Sequence, residues 1–266
     1  MNSNFTIEYG GDEMKQLNVQ NLNIQKDKDY TEVVFFGDVH LGSAYSDVER
    51  AQRMLDYCLE KNIYVFCMGD IMEAANRYSV GAGVYEQISP QAQLDKVYAM
   101  FADLSKRRLI LGWLQGNHEF RIFKETGIDV SKIICRELRI PYLGFAGWNL
   151  WRVGNESYTI YAFHGASGAR FAYTKMKSAV DIALYLNDVD VVAIGHVHDI
   201  LINSINRQYV DKRNKTVGFQ KCHIIVTGHY LSFAGSYAQM KGMPPGKEGS
   251  PKGKFFANKH DVHFSV

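Results

Sequence analysis

Asp38-Val39-His40, Asp70, Asn117-His118, His164 and His196-Val197-His198 bring together the side chains that bind divalent metals, and every one of these groups follows an apolar run. Carboxylate, imidazole and amide oxygen suit Mn, Fe, Zn or Ni, and the absence of cysteine from the set argues against a purely structural zinc site. Singly, each residue has an ordinary account. Asp70 fits a helix cap, Asn117 a turn residue, His164 a satisfied core histidine, and Asp38-x-His40 a turn after a strand. Together they place five of the nine histidines at strand exits, which chance explains poorly. The chemistry open to such a set is two-ion hydrolysis. A short carboxylate bridges two divalent ions about 3.5–4 Å apart, and an acidified bridging water attacks phosphorus in line. A histidine titrating near neutrality can then protonate the departing oxygen.

The apolar runs predict the elements that carry these residues. Residues 33–36 form a buried strand running into Gly37-Asp38. Ser46 and Asp47 precede Val48, Ala51, Met54, Leu55, Cys58 and Leu59, the 3/4 spacing of a capped amphipathic helix ending near Lys61-Asn62. A second strand, 63–68, leads into Gly69-Asp70, so strand, helix and strand make a βαβ unit with parallel pairing. Residues 71–88 are expected to be a loop-rich insertion with Gly81 and Gly83. Ser89-Pro90 then starts a helix, and the strand 109–114 leads into Gln115-Gly116-Asn117-His118-Glu119. Asp129 caps a short helix over 130–139, stopped by Pro141.

Beyond residue 142 the pattern changes to antiparallel strands, 148–153 and 158–163, around a Gly154-Asn155 turn. The second ends at His164-Gly165. A helix over 173–186 and a strand over 190–194 lead to Gly195-His196-Val197-His198, with further strands at 200–205 and 217–227. Parallel units first and antiparallel strands later imply two packed sheets with helices outside, an α/β fold. Residues 1–30, with a Gly10-Gly11 turn, are expected to form an edge hairpin or arm, and 31–266 a single domain. Within it the Gly/Pro/Lys-rich segment 241–254 is expected to be a solvated loop or a flexible arm along a polyanion, ahead of an apolar stretch at 255–264.

Bulk properties exclude little. The formal charge of +2 neither demands nor forbids a nucleic-acid partner, which would have to be held by a local patch. Four scattered cysteines, the absence of a basic and apolar leader, and the lack of any run long enough to span a bilayer predict a cytoplasmic protein with no membrane partner.

The ordered blocks Asp38-x-His40, Gly69-Asp70, Gly116-Asn117-His118-Glu119, His164 and Gly195-His196-x-His198 resemble the signature of the calcineurin-like metallophosphoesterase superfamily, across residues 37–198. The resemblance implies two mixed β-sheets packed face to face and flanked by helices, a four-layer sandwich. It also implies two divalent ions, Mn foremost, with Fe, Zn, Ni or Mg as alternatives. Asp38, His40 and His198 would bind one ion, Asn117, His164 and His196 the other, and Asp70 would bridge them. His118 would be the catalytic residue beside the scissile phosphate. Glu119 stands where the family commonly has Asp, and that acid is an expected partner of His118. Glu73 stands where some relatives carry another acid and is expected to lie outside the ligand set.

The first motif is similar to that of the family's double-strand-break repair nucleases, so a phosphate-ester substrate, DNA among the candidates, is expected. The favoured expectation is a nuclease or DNA-repair-type exonuclease cleaving phosphodiesters. The alternative is a small-molecule phosphatase or nucleotide or cyclic-nucleotide hydrolase. Arg121, Arg170, Tyr173 and His229 are the candidate substrate contacts, by phosphate binding or base stacking.

Overall fold

The computed structural model describes residues 17–75, 88–165, 168, 169 and 171–266. The Gly10-Gly11 turn, most of the insertion with Gly81 and Gly83, and Arg170 lie outside the described residues. In chain order the elements begin with β1 (Asn18–Leu22), β2 (Tyr30–Phe36), α1 (Val48–Lys61), β3 (Tyr64–Cys67), α2 (Pro90–Lys106) and β4 (Ile110–Trp113). Next come α3 (Asn117–Thr126), α4 (Val130–Leu138), β5 (Ala146–Val153), β6 (Glu156–Phe163), α5 (Ala172–Tyr185) and β7 (Val191–Ile194). The chain continues with β8 (Leu201–Asp211), β9 (Thr216–Val226), α6 (Tyr237–Met240), β10 (Lys252–Phe256) and β11 (Val262–Ser265).

Two mixed sheets result. One has the order β11-β10-β2-β3-β4 and the other β1-β5-β6-β7-β9-β8. They face each other through aromatic side chains: Trp151 of the second sheet lies 5.9 Å from Phe35, 5.8 Å from Phe66 and 5.2 Å from Phe255 of the first, ring to ring. Strand periodicity assigns the rest. Val191, Ala193 and Ile225 point into this central core, whereas their neighbours Val192, Ile194, Ile224 and Val226 pack outward against Ala179, Ile182 and Ala183 of α5. On the far side of the first sheet, Phe36 meets Phe101 of α2. Trp151 is fully buried, so truncating it to Ala would cost about 3–5 kcal/mol.

Local chemistry explains the helix ends. Asp47 accepts the Arg50 N–H at 2.9 Å at the start of α1, which stops at Asn62 in a left-handed conformation (φ 55°). Ser89 caps α2 with Pro90 in its first turn, and Asp129 caps α4.

The architecture positions the site because β2, β3 and β4 are parallel to one another, and so are β6, β7 and β9. Six strands, three from each sheet, therefore empty their carboxyl ends onto one edge of the sandwich. Three elements differ from the sequence expectation. Helix α3 starts at Asn117, where the sequence indicates only a strand exit. The strand expected at 200–205 runs on to Asp211 and pairs along its whole length with β9. Residues 246–254 are neither a free arm nor a solvated loop. Pro251 accepts the Phe35 N–H at 3.0 Å, Gly249 donates to His229 at 2.7 Å, Glu248 pairs with Arg50, and Lys252–Phe256 joins β2 antiparallel. Of the N-terminal segment, the described residues contribute one edge strand, β1, paired in parallel with β5.

Candidate metal centre

Each parallel strand turns sharply at its end, and the turn aims a side chain at the shared edge. Asp38, His40, Asp70, His196 and His198 all hold φ between 50° and 67°, the left-handed region that is costly for residues with a Cβ. Such strain persists only where surrounding structure over-determines it, and it clusters at functional sites. The crowding is extreme at Gly69 (φ 93°), where a Cβ would stand 2.7 Å from His164 Nδ1 and 2.8 Å from the Gly116 nitrogen. Only glycine lets β3, β4 and β6 converge there.

The side chains fall into two groups that meet at Asp70. In the first, His198 Nε2 is 3.3 Å from Asp38 Oδ1 and 3.1 Å from His40 Nε2. In the second, Asp70 Oδ2 is 3.2 Å from His164 Nε2 and 4.0 Å from His196 Nδ1, while Asn117 Oδ1 lies 3.0 Å from His164 Nε2. Asp70 Oδ2 also stands 3.9 Å from His40 Nε2, so one carboxylate oxygen lies between the groups. Asp38, His40 and His198 can converge on a single ion, and so can Asp70, His164 and His196.

The donors fit two divalent cations. Asp38 Oδ1, Asp70 Oδ2 and His196 Nδ1 are buried yet accept or donate no hydrogen bond, which is costly without a cation. Their opposite atoms are pinned: Asp38 Oδ2 accepts the His196 N–H at 3.1 Å, and Asp70 Oδ1 accepts the His118 N–H at 2.9 Å. The imidazoles are oriented likewise. His164 Nδ1 contacts the Met68 carbonyl at 2.7 Å and His40 Nδ1 contacts Glu73 Oε2 at 3.1 Å, leaving each Nε2 directed inward. Asp, Asn and His supply only oxygen and nitrogen, a set for first-row divalent ions rather than for a thiolate-loving one.

Electrostatics bind the cluster together. Burial opposes the charge on Asp70, but the neighbouring His164 and His118 outweigh it and hold the carboxyl well below its ordinary range. Burial likewise works against the charged His164, yet Asp70 pushes that imidazole up to about 10. His118 is raised for the same reason: Asp70 and Glu73 outweigh its burial. Its Nδ1 lies 2.9 Å from the Glu73 carbonyl and its Nε2 2.9 Å from the Arg121 guanidinium, 3.9 Å from Asp70 Oδ2. The guanidinium can only donate, so Nε2 is the acceptor here and Nδ1 carries the N–H toward the Glu73 carbonyl; with its proton affinity raised, Nε2 can serve as an acid once Arg121 turns away.

Glu119 does not touch His118, contrary to the expectation for that acid. Fully buried, it accepts the backbone N–H groups of Asp70 (3.1 Å), Met72 (2.8 Å) and Gly116 (3.1 Å). It therefore ties the β3 exit to the first turn of α3 and fixes where Asp70, Asn117 and His118 stand. Burial and the nearby Asp70 push its carboxyl up to about 7. Glu73 is more intimate than its sequence position implied, for its carboxylate reaches His40, His118 (3.4 Å) and Arg121 (3.5 Å). Its place three residues after Asp70 was the available signal.

The remaining candidates are dispersed. Arg121 joins His118 and Glu73 at the site. His229 follows β9 and packs its ring on His198, with centroids 5.2 Å apart, and burial pushes it down to about 3. Tyr173 is exposed on the first turn of α5, stacked on Phe171 (6.0 Å, 5° between planes). That helix is tied to the ligand loop by Lys175, 3.2 Å from Asp199, the neighbour of His198.

A family model described as calcineurin-like phosphoesterase matches residues 31–199. Among curated proteins none matches the chain. Among solved structures, Yfce, a phosphoesterase from E. coli, is similar over 88% of this chain and 98% of its own, with 15% identity and a TM-score of 0.41. No helix among the described residues is long and apolar enough to cross a membrane.

Proposed function

The chain belongs to the calcineurin-like phosphoesterase family, and from that premise we propose that it is a two-metal phosphodiesterase whose substrate is a polynucleotide backbone, with DNA foremost. The observation that carries the hydrolytic reading is the place of Asp70 Oδ2, buried, without a hydrogen bond and shared between two sets of ligand atoms. Asp38, His40 and His198 would hold one ion, Asn117, His164 and His196 the second, and Asp70 both. Bound there, divalent ions, Mn in our reading, supply Lewis acidity to the phosphoryl oxygens and make water acidic enough to attack at neutral pH. The chain's own residues do the rest. Asp38 and Asp70 are held rigid by the backbone N–H groups of His196 and His118, so the ligand frame need not reorganise. Arg121, which donates to His118 Nε2 in the structure, turns to a nonbridging oxygen of the substrate, and His118, protonated at the freed Nε2, gives that proton to the leaving oxygen.

Support for a nucleotide substrate comes from the stacked and exposed Phe171–Tyr173 pair on the helix tied to the His198 loop, a platform of the kind on which bases stack. The four free cysteines are all buried, which suits the reducing cytoplasm where we place the protein. The test is a panel with purified protein: mono- and bis-p-nitrophenyl phosphate, cyclic nucleotides, and single- and double-stranded DNA, each with Mn, Ni, Zn and Mg. Mn-stimulated cleavage of diesters and DNA is expected. A preference for monoesters would sink the nuclease reading and leave the metal centre standing.

A further inference from the structure

A cleft of about 880 Å³ opens between α3, α4 and the segment leading into β5, and the mechanism above makes no use of it. Its wall is aromatic. Phe120 lies parallel to Phe123 (5.5 Å, 13°) and takes the edge of Phe145 (4.9 Å, 84°). Phe123, Ile128 and Phe145 leave 42%, 51% and 41% of their surface in solvent, a concentration of exposed apolar area at one concave place. The volume is that of a small-molecule site.

A shared helix and a backbone hydrogen bond join this cleft to the metal centre. Phe120 stands one turn along α3 from Asn117, on the same helix face. The Phe145 carbonyl accepts the His164 N–H at 3.0 Å. An ester phosphate at Asn117 and His164 would thus have its substituent within one helical turn of the aromatic wall. Lys132 and Arg136, four residues apart on α4, stand at the rim. The one acid among the lining residues, Asp129, is occupied internally by the Lys132 N–H (2.9 Å), the Tyr142 hydroxyl (2.7 Å) and Gln115 Nε2 (3.3 Å). Aromatic wall, cationic rim and a satisfied acid together suit a flat ring on an anionic backbone.

We infer that this cleft receives the nucleobase attached to the phosphate being cleaved, with Lys132 and Arg136 facing the adjoining backbone. The assignment deepens the phosphodiesterase reading and rests on it. It is tested with the Mn-loaded protein and two substrates that release the same p-nitrophenolate, thymidine 5′-(p-nitrophenyl phosphate) and ethyl p-nitrophenyl phosphate. The nucleoside ester should be favoured through KM, and Phe145→Ala should lower the ratio of the two kcat/KM values about tenfold, the worth of one base stack. Phe123→Ala provides a second variant, and thermal melts of both establish that they fold. An unchanged ratio in folded variants overturns the assignment. So does an equal gain for octyl p-nitrophenyl phosphate, which would make the cleft a reader of apolarity alone.

A second arm does not depend on turnover. Saturation-transfer NMR with thymidine and protein free of added metal should show contact to the base protons in wild type and lose it in Phe145→Ala. Thymidine contact without hydrolysis of either ester would fail the phosphodiesterase reading and keep the base site, whereas hydrolysis without that contact would fail the base site alone. Lys132→Glu separates the sources of the base. A loss in kcat/KM for a single-stranded tetranucleotide greater than that for the mononucleoside ester supports a polynucleotide lying over the rim, and equal losses overturn that role.

Discussion

Glu119 and Asp70 are joined by a hydrogen bond that involves no metal ligand atom: the buried Glu119 carboxylate accepts the Asp70 backbone N–H at 3.1 Å. The same carboxylate holds Met72 and Gly116, so both of its oxygens are acceptors and neither faces a donor-free position. Glu119→Gln replaces one oxygen by an amide nitrogen that must confront a backbone N–H. That mismatch costs about 1–3 kcal/mol in stability. It also loosens Asp70 and Asn117 and lowers metal affinity by about 10- to 100-fold, as for partners behind a ligand shell. Thermal melts and calorimetric metal titration check both numbers. Unaltered affinity in a destabilised variant would confine Glu119 to a purely structural role.

Asp70 itself is the group whose loss should be felt by both ions. Ions held by the folded state alone stabilise it by mass action, about 2.7 kcal/mol per site at a hundredfold excess over Kd. Chelation of the wild-type protein is therefore expected to lower Tm by roughly 5–10 °C. In Asp70→Ala the same treatment should change Tm little, and activity should fall about a hundred- to thousandfold or more. Full activity in that variant would remove the two-ion assignment.

What the sequence discloses follows from how each element is buried. The exits at Asp38, Asp70 and His196 are legible because parallel strands covered on both faces appear as unbroken apolar runs, and that at His164 because β6 alternates buried and half-exposed residues. Helix α3 is not, since Glu119 is its only buried side chain and its apolar residues Phe120, Ile122 and Phe123 stay partly in solvent. Along β8 the outer residues are exposed on both faces, so the far half carries no alternation. The 246–254 strap hides its order in glycines, whose packing leaves no hydrophobic signature: a Cβ on Gly246 would overlap the His198 carbonyl. Glu73 lies outside the ligand set, as its sequence position implies, but its contacts with His40, His118 and Arg121 join residues far apart in the chain and carry no local signal beyond its place three residues after Asp70.

His118 separates from the ligands by its dependence on the leaving group. Its imidazole contacts Glu73 and Arg121, and its Nε2 is 3.9 Å from Asp70 Oδ2. His118→Ala should retain both ions and lose about 10²–10⁴ in kcat toward an alkoxide leaving group, the usual worth of a general acid. With p-nitrophenolate, a stable anion that leaves without a proton, the loss should be far smaller. Equal losses for both leaving groups would assign His118 to electrostatic stabilisation instead.

His223 gives the fold an acid-sensitive point far from the metal centre. It lies on β9, its ring 5.5 Å from Phe264, and burial, aided by Lys221 and His263 against Asp261 and Asp190, pushes it down to about 4. The folded value lies below the ordinary 6.5, so the unfolded chain takes up the proton first as pH falls. This contribution to stability is complete above about pH 6.5 and is lost progressively down to about pH 4, with a size on the order of 2 kcal/mol after solvent screening. Denaturant melts of wild type and His223→Gln across pH 4 to 7 isolate it. Other histidines titrate in both proteins, so the difference between the two curves carries the effect: the wild-type curve should fall more steeply toward acid, and parallel curves would show that His223 takes up its proton without resistance from the fold.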